Sequence, residues 1–379
     1  MSRVALSEKD IKALTDFLGS VSKDPLEFVR LAFPWGEPNT QLEDKEGPDI
    51  WQIELLNDIK EGLKTPDQVI REAVASGHGI GKSAMVAWII LWAISTHEDT
   101  KGVVTANTDT QLKTKTWAEL AKWYYLFIAK DLFTYSATSI YSNQEGHEKT
   151  WRIDAIPWND SNPAAFAGLH NQGKRTLVIF DEASEISDII WEVAEGAMTD
   201  ADTEIIWCVF GNPTQSSGRF HACFHKNRSL WNRKQIDSRT VKISNKAELE
   251  GWRVQYGEDS DFFKVRVKGE FPSASEKQFI STALVDEARR RTLHEKQFRF
   301  APVIIACDPA WTGGDETVIY LRQGLFTKKL FATTKNDNDI EIAGILARFE
   351  DEYKADAVFI DLGYGTGIKS AGDAWGRSW

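Results

Sequence analysis

Ala75-Ser76-Gly77-His78-Gly79-Ile80-Gly81-Lys82-Ser83 is the stretch on which the fold turns. An apolar run, Val69 to Ser76, leads into it, and a helix-like run, Ser83 to Thr96, leads out. In a strand–glycine loop–helix context, backbone N–H groups turn inward around phosphate oxygens, and the helix N-terminus adds a favourable dipole. On this reading Ser76, Gly77, His78, Gly79, Ile80 and Gly81 wrap a nucleotide's phosphates. Lys82 reaches the β- and γ-phosphates, and the Ser83 hydroxyl ligates Mg²⁺. The motif ordinarily opens on glycine; Ser76 stands there instead, which requires ordinary backbone angles at that residue. The competing reading is a glycine-rich turn that caps a helix and leaves Lys82 exposed. Ala84 to Ile94 is apolar on every face, as expected of a helix buried in a domain centre.

Three further apolar runs accompany Val69 to Ser76: Gly102 to Asn107, Thr176 to Asp181 and Glu204 to Asn212. Runs apolar at nearly every position suit strands covered on both faces, as in a parallel sheet. Helix-like stretches, including Gln111 to Lys130, lie between them. The expected class is α/β, a P-loop NTPase domain with a mainly parallel sheet and its ligand at the strands' carboxyl ends.

Thr176 to Phe180 ends in two adjacent carboxylates, Asp181 and Glu182. A buried strand carries Asp181 to the sheet edge, where it can hold the Mg²⁺ of a nucleotide. Glu182, one residue on, is placed to take a proton from an attacking water. An ordinary strand end followed by an acidic helix start is the alternative. The strand Thr203 to Phe210 ends in Gly211-Asn212-Pro213-Thr214, polar residues suited to sensing a γ-phosphate, or else a simple exit turn. Upstream, Trp51-Gln52 opens a helix, and Gln52 is either an adenine contact or a surface residue.

A helix over Leu249 to Val267, then Lys268-Gly269-Glu270-Phe271-Pro272 and a polar stretch, mark a domain boundary. Beyond it, Pro302 to Cys307, Glu316 to Arg322 and Leu325 to Thr333 read as linked strands. A helix, Asp339 to Lys354, and a strand, Ala357 to Asp361, follow. That order opens a ribonuclease H-like fold, here partial. The expected domains are 1–270, a P-loop ATPase with an N-terminal helical segment; 271–300, a linker; and 301–379, an incomplete nuclease domain. Asp308 and Asp361 end neighbouring strands and would converge on a metal site, since two-metal phosphodiester hydrolysis needs hard oxygen ligands. Both also suit turn starts, and Asp315 and Glu316 are supporting candidates.

With a net charge of −11, the surface as a whole repels nucleic acid, so any DNA contact must come from a local basic patch. Lys113 to Lys122, Lys174-Arg175 and Arg289-Arg290-Arg291 are candidates, each equally readable as a solvated helix face. The three cysteines, Cys208, Cys223 and Cys307, offer neither a disulfide framework nor a zinc motif. His221, Cys223 and His225 would share one face if they lay on a strand, without a matching ligand pair nearby. No apolar run reaches the ~18 residues that a membrane span suggests.

Together, Ser76 to Ser83, Val178 to Ala183, Gly211 to Thr214, Val267 to Pro272, Asp308-Pro309-Ala310 and Asp361 to Gly367 resemble the large terminase subunit of tailed bacteriophages. The resemblance implies ATP-driven packaging of double-stranded DNA into a procapsid, with a metal-dependent endonuclease attached. It assigns Lys82, Ser83 and Asp181 to nucleotide and Mg²⁺, Glu182 to water activation, Gly211 to Thr214 to coupling and Gln52 to adenine. Asp308 and Asp361 match the first two nuclease acids, with Mn²⁺ as an alternative metal. The implied partners are a portal protein, a small terminase subunit and further copies in a ring, in the host cytoplasm and away from membrane. An arginine finger is also implied, for which Arg71 and Arg219 are candidates. The third nuclease acid has no counterpart, which implies a chain shortened at its C-terminus and a nuclease inactive for that reason. A helicase-like remodelling ATPase and a decayed, non-catalytic prophage protein are the rival readings.

Overall fold

The apolar runs become the inner strands of one sheet. In chain order its strands are β1 (Ile70–Ser76), β2 (Lys101–Thr105), β3 (Phe133–Tyr135), β4 (Ser139–Ser142), β5 (Arg152–Ala155), β6 (Arg175–Phe180), β7 (Glu204–Gly211) and β8 (Asn232–Ile236). They lie in the order β3-β4-β5-β2-β6-β7-β1-β8. From β5 to β8 every pairing is parallel, while β3–β4 and β4–β5 are antiparallel. β6 is buried at every position, which explains why its sequence is apolar from Leu177 to Phe180, after Arg175 and Thr176. The computed structural model describes residues 7–65, 68–106, 108–158, 169–272, 287–288, 290–311, 315–334 and 338–379. Among them no helix is long and apolar enough to cross a membrane.

The helix Lys82–Ser95 is buried from Met85 to its end, so its all-round apolar sequence is a core signature. The helix expected over Gln111 to Lys130 runs from Asp109 to Leu126 and contains a π-turn, Leu112–Trp117. The single helix expected over Leu249 to Val267 is broken. Lys246–Tyr256 stops at Gly257, whose φ of 83° no helix can continue, and two short turns, Asp261–Phe263 and Lys264–Lys268, follow. Two N-terminal helices, Glu8–Ser20 and Pro25–Leu31, precede the helix Ile50–Gly62.

Arg175, read above as a candidate phosphate contact, is 0% exposed. Its Nε and Nη2 donate to Glu204 Oε2 at 2.9 and 2.8 Å, its Nη1 donates to Thr96 Oγ1 at 2.7 Å, and its guanidinium lies 4.2 Å from the Trp92 ring. It is a buried clamp between strand and helix, out of reach of DNA. Arg289 and residues 273–286 of the expected linker 271–300 lie outside the described residues.

The chain divides into two units, Met1–Leu284 and Val285–Trp379. The second is built on β9 (Val303–Asp308), β10 (Thr317–Gln323), β11 (Phe326–Thr333) and β12 (Ala357–Ile360), in the order β11-β10-β9-β12. β9–β10 and β10–β11 are antiparallel and β9–β12 is parallel. Ile305, Cys307, Ile319 and Val358 pack in one core with Ile342, Leu346 and Ile368 of the helices Asp339–Tyr353 and Leu362–Ala374. Ala306, Asp308, Tyr320 and Phe359 alternate with the core residues and are exposed. This second sheet is compatible with a partial ribonuclease H-like domain.

Candidate nucleotide site and acidic edge

β1 delivers its loop to the sheet's carboxyl edge, where a second segment grips it. Gly77 N donates to Ile236 O at 3.1 Å, His78 N to Arg266 O at 2.8 Å, and Ser238 Oγ to His78 O at 2.7 Å. A Cβ at Gly77 would collide with Ser238 Oγ and the Val267 carbonyl, so close approach of backbone demands glycine there. Gly81 has a φ of 86°, a left-handed angle at the start of the helix. Ser76 needs neither concession. It has no positive φ and pairs with Ile236 as the last residue of β1, so the missing first glycine costs the loop nothing.

Beside the loop lies a cavity of about 730 Å³ whose lining includes Gly79, Gly81, Lys82, Ser83, Glu182 and Asn212. Lys82 Nζ donates to Ser76 Oγ at 3.1 Å and Asn212 Oδ1 at 3.2 Å, and Asn212 Nδ2 donates to Ser76 O at 2.6 Å. Burial lowers the Lys82 pKa, opposed by the carboxylates of Glu182 and Asp181. Gln52 is buried rather than on the surface. Its Oε1 accepts from Asp49 N at 2.8 Å as a helix cap, and its Nε2 donates to Gly81 O at 3.3 Å. Trp51 Nε1 donates to Ile80 O at 3.2 Å, so this helix braces the loop from its other side.

Asp181 extends β6 by one ladder bond, its N–H donating to Thr105 O at 2.8 Å. Its Oδ1 accepts from Glu182 N at 3.1 Å and its Oδ2 from Thr116 Oγ1 at 2.5 Å. Burial, and then the neighbouring Glu182, raise its pKa above the ordinary carboxylate value. Glu182 has φ 55° and ψ 46°, left-handed angles that a non-glycine residue holds only under constraint and that gather at functional sites. The constraint comes from the Gly211 to Thr214 segment. Ser184 Oγ donates to Asn212 O at 2.7 Å, and Thr214 Oγ1, 3.1 Å from Ser184 Oγ, donates to Glu185 Oε1 at 2.5 Å. Gly211 lies against the Ala183 backbone, where a Cβ would sit 3.2 Å from Ala183 N. The Ser83 hydroxyl, which lines the cavity, and the buried Asp181 carboxylate are hard-oxygen donors of the kind that suits Mg²⁺.

In the second unit, Ile360 pairs with Cys307, and Asp361 N donates to Cys307 O at 3.0 Å. Asp308 and Asp361 therefore sit side by side at the ends of adjacent parallel strands, both exposed. Asp361 Oδ1 also accepts from Gly363 N at 2.9 Å, capping the last helix, so its turn-starting role is present as well. β11 runs the same way as β9 and β12, and the helix that follows it opens with Asp339 at this same edge. Asp339 packs against Gly367, and its Oδ1 is buried without a hydrogen-bond partner among the described residues. Sequence reading missed this acid, because an aspartate in a helix's first turn looks like dipole compensation.

No protein-family model matches the chain. A probable terminase large subunit of Enterobacteria phage P7 is 26% identical over 234 residues, 58% of this chain and 46% of that protein. The chain thus spans about half the length of the curated relative it matches. Among solved structures, the HK97 bacteriophage large terminase superposes with a TM-score of 0.52 at 10% identity, over 94% of this chain and 83% of that one. The large terminase of a thermophilic bacteriophage, in complex with ADP, gives 0.46 at 13% identity, over 87% and 81%. This chain resembles a phage large terminase. The likeness to the HK97 large terminase is one of fold.

Neither arginine-finger candidate lines the cavity. Arg219 pairs with Glu192 at 3.3 Å and Glu195 at 3.5 Å, and Arg71 lies at the start of β1, at the end away from the loop, its pKa lowered by burial. Arg266 lies beside the glycine loop, with Nη1 3.4 Å from His78 Nε2, and nothing in its local sequence announced it. His221 and His225 stack with centroids 3.8 Å apart, but on the helix Gly218–Phe224 and its cap rather than on a strand. Cys223 is buried and its Sγ donates to Arg219 O, so the three side chains do not share a face.

Proposed function

We propose that this chain hydrolyses ATP to drive double-stranded viral DNA into a procapsid, as the motor of a large terminase. The convergence of Lys82, Ser83, Glu182 and Asn212 on one cavity beside a glycine loop carries the reading. In this scheme the loop's N–H groups and Lys82 bind the phosphates, and Ser83 and Asp181 hold Mg²⁺. The ion, when bound, neutralises phosphate charge. Glu182 takes the proton of the attacking water. Asn212, bonded to both Lys82 and Ser76, passes loss of the γ-phosphate to β7 and the Gly211 to Thr214 segment. Residues 1–270 form the motor, 271–300 the linker and 301–379 the nuclease part. There Asp308 and Asp361 hold Mg²⁺ or Mn²⁺. A portal protein, a small terminase subunit and further copies of this chain in a ring complete the assembly in the host cytoplasm.

DNA-stimulated ATP turnover by the full chain tests the reading. Lys82→Ala should abolish it, and Glu182→Gln should slow it by roughly 10²–10⁴ while ATP still binds. Robust turnover in either variant contradicts these roles, and ATP-dependent unwinding of duplex DNA favours a helicase instead.

A further inference from the structure

The carboxylate of Asp181 is held by a residue that no sequence motif marks. Thr116 is 1% exposed, and its Oγ1 donates to Asp181 Oδ2 across 2.5 Å. A threonine inside a helix usually returns its hydroxyl to the carbonyl four residues back, as Thr114 does to Thr110 O at 2.7 Å. Thr116 points instead out of its helix and into the sheet edge. It belongs to the π-turn Leu112–Trp117, a wide turn of a kind that recurs at functional sites. The preceding residue, Lys115, adds positive charge that acts on both Lys82 and His78. Two residues of one turn therefore address the two halves of the nucleotide site.

The hydrogen bonds given to Asp181 by the described residues are one from its neighbour's N–H and one from Thr116. The first is local and fixes little beyond the chain direction. The second sets the carboxylate's rotation about its side chain, and so the direction in which it offers a lone pair to a cation. We infer that Thr116 is a positioning residue for the nucleotide's metal ion. It holds Asp181 in the orientation that receives Mg²⁺ and makes the helix Asp109–Leu126 part of that site. The inference rests on the nucleotide-binding reading above.

Thr116→Val keeps the side chain's shape and removes the donor; Thr116→Ser keeps the donor. The readout is the ADP-dependent part of Mn²⁺ binding to the full chain, followed by electron paramagnetic resonance of free Mn²⁺ and independent of turnover. Hydrogen bonds to charged groups are worth about ten- to a hundredfold in an equilibrium constant. Thr116→Val is expected to weaken Mn²⁺ by about tenfold or more, and Thr116→Ser to restore it. ADP affinity in chelator should stay close to wild type. The Mg²⁺ concentration for half-maximal ATP turnover should rise in parallel.

Mn²⁺ affinity unchanged in Thr116→Val overturns the inference, as does a loss that serine fails to rescue. Wild-type protein that binds ADP without any metal dependence overturns it too, while sparing the nucleotide site. If wild type binds no ADP, the underlying reading falls and this inference falls with it.

Discussion

Glu72 lies in the middle of β1, the strand that carries the phosphate loop, and it is 0% exposed. Its Oε1 accepts from Asn232 Nδ2 at 2.8 Å, while Oε2 is buried without a partner among the described residues. Burial pushes its pKa from 4.5 up to about 8, with Asp58 adding to the rise and Asn232 and Lys234 opposing it. A carboxyl raised in this way stays protonated in the fold after it has ionised in the unfolded chain. Between the two values the folded state holds the extra proton, so stability falls as pH rises, by about 1.4 kcal/mol per unit. Over the interval from 4.5 to about 8 the loss is on the order of 5 kcal/mol, and it levels off above. Glu72→Gln, a neutral isostere, should abolish the slope. It should be more stable than wild type at pH 8, by roughly 3 kcal/mol after allowing for an amide that must share Asn232. At pH 5 the two proteins should differ little. Urea unfolding followed by tryptophan fluorescence across pH 5 to 9 reads the first unit, which holds most of the tryptophans. Parallel pH profiles for the two proteins would refute the argument, because they would mean that Glu72 ionises in the folded chain as it does in the unfolded one.

Three other outcomes are expected. Arg175→Met removes both donors to Glu204 Oε2 and the one to Thr96 Oγ1, while Lys23 still pairs with Glu204, and should destabilise the first unit by about 1–3 kcal/mol, measured in the same urea titrations. Asn212→Ala strips an acceptor from Lys82 and a donor from Ser76 O, and should lower ATP turnover by roughly tenfold or more. Mn²⁺-dependent plasmid cleavage, if the second unit supports it, should vanish in Asp308→Asn; cleavage that persists would place the metal elsewhere than on β9 and β12.

What the sequence determined by itself is local. The shape of the Ser76 to Ser83 loop is legible because its glycines stand where the chain turns left-handed or lies against another backbone, and the phosphate cradle proposed for it is built from consecutive backbone N–H groups. Asp181-Glu182 is legible for a similar reason: an apolar strand has one carboxyl end, and the next two residues must lie there. In the second unit, the lengths of three strands, a helix and a strand mark out the order that brings Asp308 beside Asp361. What only tertiary structure decided depends on contacts between distant positions. Asn212 meets Lys82 because β7 pairs with β1, a neighbour choice that no single strand encodes. Gln52 braces Gly81, Thr116 grips Asp181, and Arg175 turns inward to Glu204 because neighbouring elements bring these polar groups together where water has little access. The same residue types read as surface or cap in isolation, since their energetics are set by desolvation, and desolvation is a property of the packed fold rather than of the residues beside them in the chain.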